Sequence, residues 1–412
     1  MQSYPVYGRC LLSLTLYYYL LIGYIIFVTD YRLHVNMKKN TLIFLSLMLI
    51  FVSCRNNGKN NENDCSSVIS SSVTAEDAKG FEVSQIEDVT LLDIHDPENK
   101  EAESFHFALV PRGAEATVPQ GYQRIDIPVE RVICMTSLQL SNFIKLGLLD
   151  KVVGITSTRH LFNKDMKARL KEGKTHKIGI EGNFDNEVIM VLEPDVIFIS
   201  PFKRGGYDAL RNTGVPLIPH LGYKELTPLG QAEWIKVIGL LTGHVDEAAE
   251  AYAAIKIRYN NLKALVDSVK DRPVVFSGEM RGGNWYAVGG RSFLAQIFKD
   301  AGGDYFLKDN TESGGVTLDY ETVYSNAADA DYWRIVNSFD GKFSYDALKE
   351  LNERYADFKA WKNHGVIYSN MKEVPFYENM PVEPDKVLAD FISVFHPDLL
   401  PGHTPVYYHH LQ

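Results

Sequence analysis

Four short stretches of this chain are apolar along both faces, and helical segments separate them. They are Arg131-Val-Ile-Cys-Met-Thr, Lys151-Val-Val-Gly-Ile, Asp195-Val-Ile-Phe-Ile-Ser and Val215-Pro-Leu-Ile-Pro. A strand that hides both faces has to be covered on each side, and strands alternating with helices pair in parallel through crossovers. The same pattern returns after residue 270, in Arg272-Pro-Val-Val-Phe-Ser, Trp285-Tyr-Ala-Val, a helix from Ser292 to Asp300, Ala330-Asp-Tyr-Trp-Arg-Ile-Val and Gly365-Val-Ile-Tyr-Ser-Asn. Between the two sets, His244 to about Lys270 is the longest helical pattern. Val245, Ala248, Ala249, Tyr252, Ile255, Tyr259, Leu262 and Val266 recur at spacings of three and four and make one apolar stripe. At 1.5 Å per residue this helix would run about 40 Å, enough to cross between lobes.

The expected fold is therefore α/β: two lobes with mostly parallel sheets, joined by one long stiff helix, with a ligand cleft between them. The N-terminal lobe is expected over 80–227, with leading strands at Val89–Ile94 and Ser104–Val110. A helical linker is expected over 228–271 and the C-terminal lobe over 272–412.

The front of the chain has a different character. Met37 to Ser53 reads MKKNTLIFLSLMLIFVS: two lysines, an apolar run from Leu42 to Val52, then small Ser53 directly before Cys54. Those are the parts of a secretory signal, and the cysteine after the small residue resembles the bacterial lipoprotein signal, which implies lipidation of Cys54. An uncleaved anchor helix is the alternative, although the run is short for a span. Residues 1–36 hold a second apolar stretch, Leu11 to Val28, and are read as an upstream segment from a misplaced start. Were both segments genuine, the chain would span a membrane twice. Residues 54–79, Asn- and Ser-rich, read as a polar tether.

Charge narrows the function. The 412 residues carry 42 basic and 52 acidic side chains, net −10, with no basic block, so nucleic-acid binding is disfavoured. Removing residues 1–53 takes away four basic residues and one acid, which leaves a 359-residue chain at −13. Cys10, Cys54, Cys65 and Cys134 are irregularly spaced and define neither a disulfide framework nor a zinc site. Against this acidic background, Arg159, Lys203, Arg204, Arg281 and Arg334 sit at or just after predicted strand ends, where loops of parallel sheets converge. Phe202, Trp285 and Tyr286 lie beside them. This grouping fits an anionic ligand with apolar edges, held by guanidinium forks and aromatic faces.

Other chemistry finds little footing. Gly282-Gly283 and Gly289-Gly290 lack the Lys-Ser/Thr of a phosphate loop and bracket a strand, so a hairpin is expected. No Gly-x-Ser-x-Gly or His-Glu-x-x-His motif is present. His160, His220 and Glu279 near strand ends are the thin case for bare-metal binding. Cys134 reads as a core thiol, and His409-His410 as an exposed tail.

Several segments occur in an order that resembles the lipoprotein substrate-binding components of ABC importers for iron–siderophore, haem and cobalamin uptake. They are Leu146-Gly-Leu-Leu-Asp-Lys-Val-Val-Gly-Ile-Thr, Asn186-Glu-Val-Ile-Met-Val-Leu-Glu-Pro-Asp-Val-Ile-Phe, Pro228-Leu-Gly-Gln-Ala-Glu-Trp-Ile-Lys before the long helix, and Ala301-Gly-Gly-Asp. The resemblance covers about Phe81 to the C-terminus. It implies no catalysis and no cofactor, a monomer tethered outside the cytoplasm, and a ferric siderophore or similar anionic iron complex as ligand. A haem or cobalamin ligand is the alternative within the same fold, and a chelatase-like enzyme the alternative outside this class. It further implies that a glutamate on each lobe docks on arginines of the permease, and by position these are Glu187 and Glu321.

Overall fold

The computed structural model describes residues 72–99, 101–156, 158, 161–180, 183–200 and 207–412. The signal segment, Cys54 and most of the tether lie outside the described residues.

Period-two alternation builds the first sheet. Strands β1 (Phe81–Ile86), β2 (Val89–Ile94) and β3 (Phe105–Pro111) form an antiparallel meander, and β4 (Gln123–Ile127) adds in parallel beside β3. One face, with Phe81, Leu92, Ile94, Phe107, Leu109 and Ile125, packs into the same core as Val132, Phe198 and Trp234.

The next strands are β5 (Val132–Cys134), β6 (Val152–Ile155), β7 (His176–Lys177), the hairpin pair β8 (Gly179–Ile180) and β9 (Asn183–Phe184), then β10 (Val196–Ile199) and β11 (Leu217–Pro219). They form a five-stranded sheet in the order β11-β10-β5-β6-β7, parallel throughout. Every residue of β5, β6 and β10 is buried, as strands covered on both faces must be. Cys134 lies in this core, where burial pushes its thiol far above the usual range. His220 is buried too: it stacks on Trp234, meets Asn142 at 3.2 Å, and is lowered to about 4 by desolvation. It is a neutral core histidine. Glu279 is held by Arg281 in the other lobe, and among the described residues no cluster of three His, Cys, Asp or Glu is placed to hold a metal ion.

Helices Pro228–Glu233 and Ile235–Thr242 lead into the interlobe helix Val245–Val266. Its 22 residues span about 33 Å. The buried stripe is Ala248, Tyr252, Ile255, Tyr259 and Val266, and the helix packs both on Ser137–Leu146 of the first lobe and on Pro384–Phe395 of the second. Residues 72–80, assigned to the tether and the start of the first lobe, are instead fastened to the linker. Glu233 accepts the backbone N–H of Glu76, Asp77 and Ala78 at 2.7–2.8 Å, and Glu225 accepts those of Lys79 and Gly80 at 2.9–3.0 Å. The buried Lys236 ammonium neutralises Glu233 at 2.8 Å, so the carboxylate's desolvation is met by a cation and by amide donors together.

The C-terminal strands are β12 (Val274–Ser277), β13 (Glu279–Arg281), β14 (Asn284–Val288), β15 (Asp304–Tyr305), β16 (Gly315–Leu318), β17 (Tyr332–Asn337), β18 (Val366–Asn370) and β19 (His409–His410). The main sheet runs β15-β12-β17-β18-β19, parallel except at β19, and β13-β14-β16 is a small antiparallel sheet. The hairpin expected from Gly282-Gly283 is present, with φ of 57° and 87° that side chains with a Cβ adopt poorly. His409-His410 are exposed as expected, but they are not a free tail. His409-His410 pair with β18 at the sheet edge, and Tyr407, Tyr408 and Leu411 around them are buried.

Candidate ligand cavity between the lobes

In the C-terminal sheet the chain passes from β12 to β15 on one side, then returns to build β17 and β18 on the other. The strand order reverses between β12 and β17, and loops diverge above the carboxyl ends of such a pair to leave a crevice. Ser277, the last residue of β12, is in register with Arg334 of β17. A cavity of about 530 Å³ opens here, within the range of small-molecule sites. Leu138 and Tyr223 of the first lobe, Gln231 of the linker, and Phe293, Phe376 and Tyr377 of the second all line it.

Arg334 is the polar centre of this cavity. It is only 6% exposed, and the alternation along β17 puts Trp333 into the core on the opposite face. Its Nε and Nη2 donate to the Tyr408 hydroxyl at 3.2 and 2.5 Å, and its guanidinium lies 5.2 Å from the Tyr408 ring centre. Among the described residues no carboxylate pairs with it. A desolvated cation resting only on a neutral hydroxyl and an aromatic face still has N–H donors to satisfy. Lys224, on the opposite wall, is already bound to Asp96, and Glu225 is occupied by Lys79, Gly80 and the Trp234 indole. Glu98, also on the lining, is exposed, so the buried charge without an opposite partner in the cavity is that of Arg334. Leu138, Val288, Leu294, Val336 and Met380 make much of the remaining wall apolar, with Gln231, Ser292 and Ser313 as neutral polar groups among them.

Of the residues expected to bind ligand, Arg334 lines the cavity. Trp285 is a correction: it is fully buried, stacks on Phe276, meets Tyr355 edge to face, and donates its indole N–H to the Ser277 carbonyl at 2.9 Å, so no face is left for a ligand. Arg281 is also displaced from the site, since its guanidinium is exposed on the hairpin and spent on Glu279 at 2.7 Å. Tyr286 is 45% exposed on the opposite strand face from Trp285 and is not among the cavity-lining residues. Arg159, Phe202, Lys203 and Arg204, like His160, lie outside the described residues. Tyr408, Phe376, Tyr377 and Met380 were not anticipated. The aromatic pair Phe376-Tyr377 is a local signal for a binding wall, whereas Tyr408 reaches Arg334 across 74 positions and leaves none.

Glu187 and Glu321 are both exposed, one on each lobe, each in the first turn of a short helix (Asn186–Val191 and Tyr320–Ala327). They differ in one respect. Glu187 makes no ion pair among the described residues and stands near exposed Met190 and Val191. Glu321 is bound by Arg354 at 2.7 Å, a hydrogen bond that lowers its carboxyl from the usual range, and Arg354 in turn lies 3.5 Å from the Tyr320 ring centre.

Comparison with known proteins agrees with this architecture. The periplasmic binding protein family model matches residues 132–371. Two uncharacterized lipoproteins of Methanocaldococcus jannaschii are 27% and 26% identical over 71% and 74% of this chain, and over 71% and 79% of their own lengths. Among solved structures, a periplasmic haem-binding protein from Pseudomonas aeruginosa superposes with a TM-score of 0.55 at 18% identity, covering 69% of this chain and 98% of its own. A component of an Fe3+-hydroxamate transport system from Saccharomonospora viridis gives 0.53 at 21%, covering 66% and 94%. These structures share the fold, both α/β lobes included. The chain belongs to the periplasmic binding protein family, whose members bind solutes for transport outside the cytoplasm and do not transform them.

Proposed function

We propose that the protein captures an anionic iron complex in the cavity between its lobes and delivers it to an ABC permease while tethered through lipid on Cys54. The observation that carries this reading is the buried guanidinium of Arg334, which has no carboxylate partner among the described residues and sits at the edge of a largely apolar cavity. A ligand carboxylate or catecholate oxygen there would accept the remaining N–H donors and neutralise the cation where water is scarce. A ferric siderophore supplies such oxygens. Haem is the second reading, favoured by the aromatic wall of Phe293, Phe376 and Tyr377 with a single cation for a carboxylate; a cobalamin would draw on the same wall without needing Arg334. Glu187 and Glu321 are the proposed docking carboxylates. The lipoprotein names of the two archaeal relatives support the anchor.

The test is the absorption spectrum of protein purified from its own source, followed by titration with a ferric catecholate, a ferric hydroxamate, haemin and cyanocobalamin. A ferric complex or haemin binding in one-to-one ratio supports the reading. A colourless protein that binds none of the four removes it.

A further inference from the structure

We propose that Glu378 is a clasp between the lobes, a positioning residue that seats one cavity wall by capping a helix of the opposite lobe. Glu378 belongs to the short C-terminal-lobe helix Phe376–Asn379 and is 1% exposed. Its Oε1 accepts the Phe162 N–H at 2.6 Å and its Oε2 the Asn163 N–H at 2.9 Å, both from the N-terminal lobe. Asn163 is itself the N-cap of helix Lys164–Lys171, with Oδ1 accepting the Met166 N–H at 2.9 Å. A carboxylate from one lobe thus completes the N-terminus of a helix in the other, where orphan donors and the helix dipole both favour negative charge.

The position of the clasp gives it consequence. Phe376, Tyr377 and Met380 line the cavity, and Glu378 lies among them in sequence, so the same turn faces the ligand space and grips the other lobe. Helix Phe376–Asn379 and the following turn Met380–Val382 also pack on helix Ser137–Leu146 of the N-terminal lobe. Burial raises the Glu378 carboxyl, opposed by the two backbone donors and by Lys167. A buried acid kept at that expense is an unlikely choice for filling space, since an apolar side chain would pack there without desolvation. Movement of the lobes apart has to break these two bonds, and a ligand that presses on Phe376 and Tyr377 holds them closed. This inference concerns the wall itself and stands whichever ligand occupies the cavity.

Hydrogen–deuterium exchange of the full chain, without ligand, tests it in wild type, Glu378→Ala, Glu378→Gln and Asn163→Ala. Glu378→Ala should speed exchange of the Phe162 and Asn163 amides by about ten-fold or more, the loss expected for hydrogen bonds to a charged group. Segment 376–383 should lose protection in step, while β12 stays as in wild type. Asn163→Ala should loosen the start of helix Lys164–Lys171 and leave 376–383 unchanged. If Glu378→Ala speeds exchange at 162–166 alone, or at neither segment, the clasp is refuted and Glu378 is a local cap or a passive filler. Glu378→Gln keeps one acceptor oxygen and reads the same two segments at smaller amplitude, so the comparison survives a Glu378→Ala protein that does not fold.

Discussion

Replacing Arg334 with Met should separate ligand recognition from stability, because the structure gives the two effects opposite signs. Arg334 is 6% exposed, its bonds go to one hydroxyl, and no carboxylate pairs with it among the described residues. Methionine fills much of the same volume and removes a buried charge. Exchanging buried ionic groups for well-packed apolar ones is neutral or stabilising by about 1–4 kcal/mol in known cases, and here the Tyr408 hydroxyl loses its donors at about 1 kcal/mol. The ligand-free protein should therefore be as stable as wild type or more so. Affinity for an anionic iron complex should fall, since a charge-assisted hydrogen bond is worth about 1.5–3 kcal/mol, or about 10- to 150-fold in Kd. Urea unfolding gives the first quantity, and fluorescence or absorbance titration with the complex that binds wild type gives the second. Arg334→Lys keeps the charge and loses the planar fork, so it should fall between the two. A variant destabilised by about 3–5 kcal/mol, as in a broken buried ion pair, with affinity within a factor of three, would refute the reasoning and make Arg334 structural.

Glu233→Gln should loosen residues 72–80 and leave the buried Lys236 ammonium with half-exposed Glu76 as its remaining carboxylate partner, costing up to about 3 kcal/mol; limited proteolysis ahead of Phe81, together with the unfolding midpoint, checks this. Hydrogen bonds from Lys256 and then Lys236 hold the Glu76 carboxyl below its ordinary value of 4.5, so this contribution to stability is present above about pH 4.5 and lost as pH falls through the lower folded value. Lys256→Met should accordingly narrow its stability gap from wild type below pH 4.5, and a gap constant from pH 3 to 6 contradicts the assignment. Charge reversal at Glu187 should reduce delivery to the permease more than reversal at Glu321, because Arg354 already screens the latter, with ligand affinity unchanged in both. Uptake assays beside equilibrium binding distinguish docking from folding defects.

How much of this was legible in the sequence depends on how local each cause is. The strands β5, β6 and β10 carry no polar side chain, β12 and β18 open on apolar runs, and the stripe of Val245–Val266 has helical spacing, so the two lobes and the helix between them could be read directly. The Gly282-Gly283 turn declared its hairpin by backbone freedom alone. The site was only partly readable. Alternation puts Trp285 and Tyr286 on opposite faces, but which face meets the core depends on Phe276 and Trp333 from other strands. Arg281 taken alone has the character of a binding cation, and it is Glu279, two residues away on the same strand, that neutralises it. Residues 72–80 looked like tether because their composition is polar, and the carboxylates that fasten them lie about 150 positions downstream. In each case the missing information was a partner.

That fastening also defines a load path. Residues 76–80 hand their backbone donors to Glu233 on the linker and to Glu225 at the end of the first lobe. Val73, Ala75 and Ala78 pack in the core of the first lobe while Glu76 and Asp77 bind Lys236, Tyr252 and Lys256 of the linker, so a load that reaches Ser72 enters the first lobe and the linker together. A load entering there is spread over the first lobe and the joining helix before it can reach the Phe376-Tyr377 wall of the second lobe.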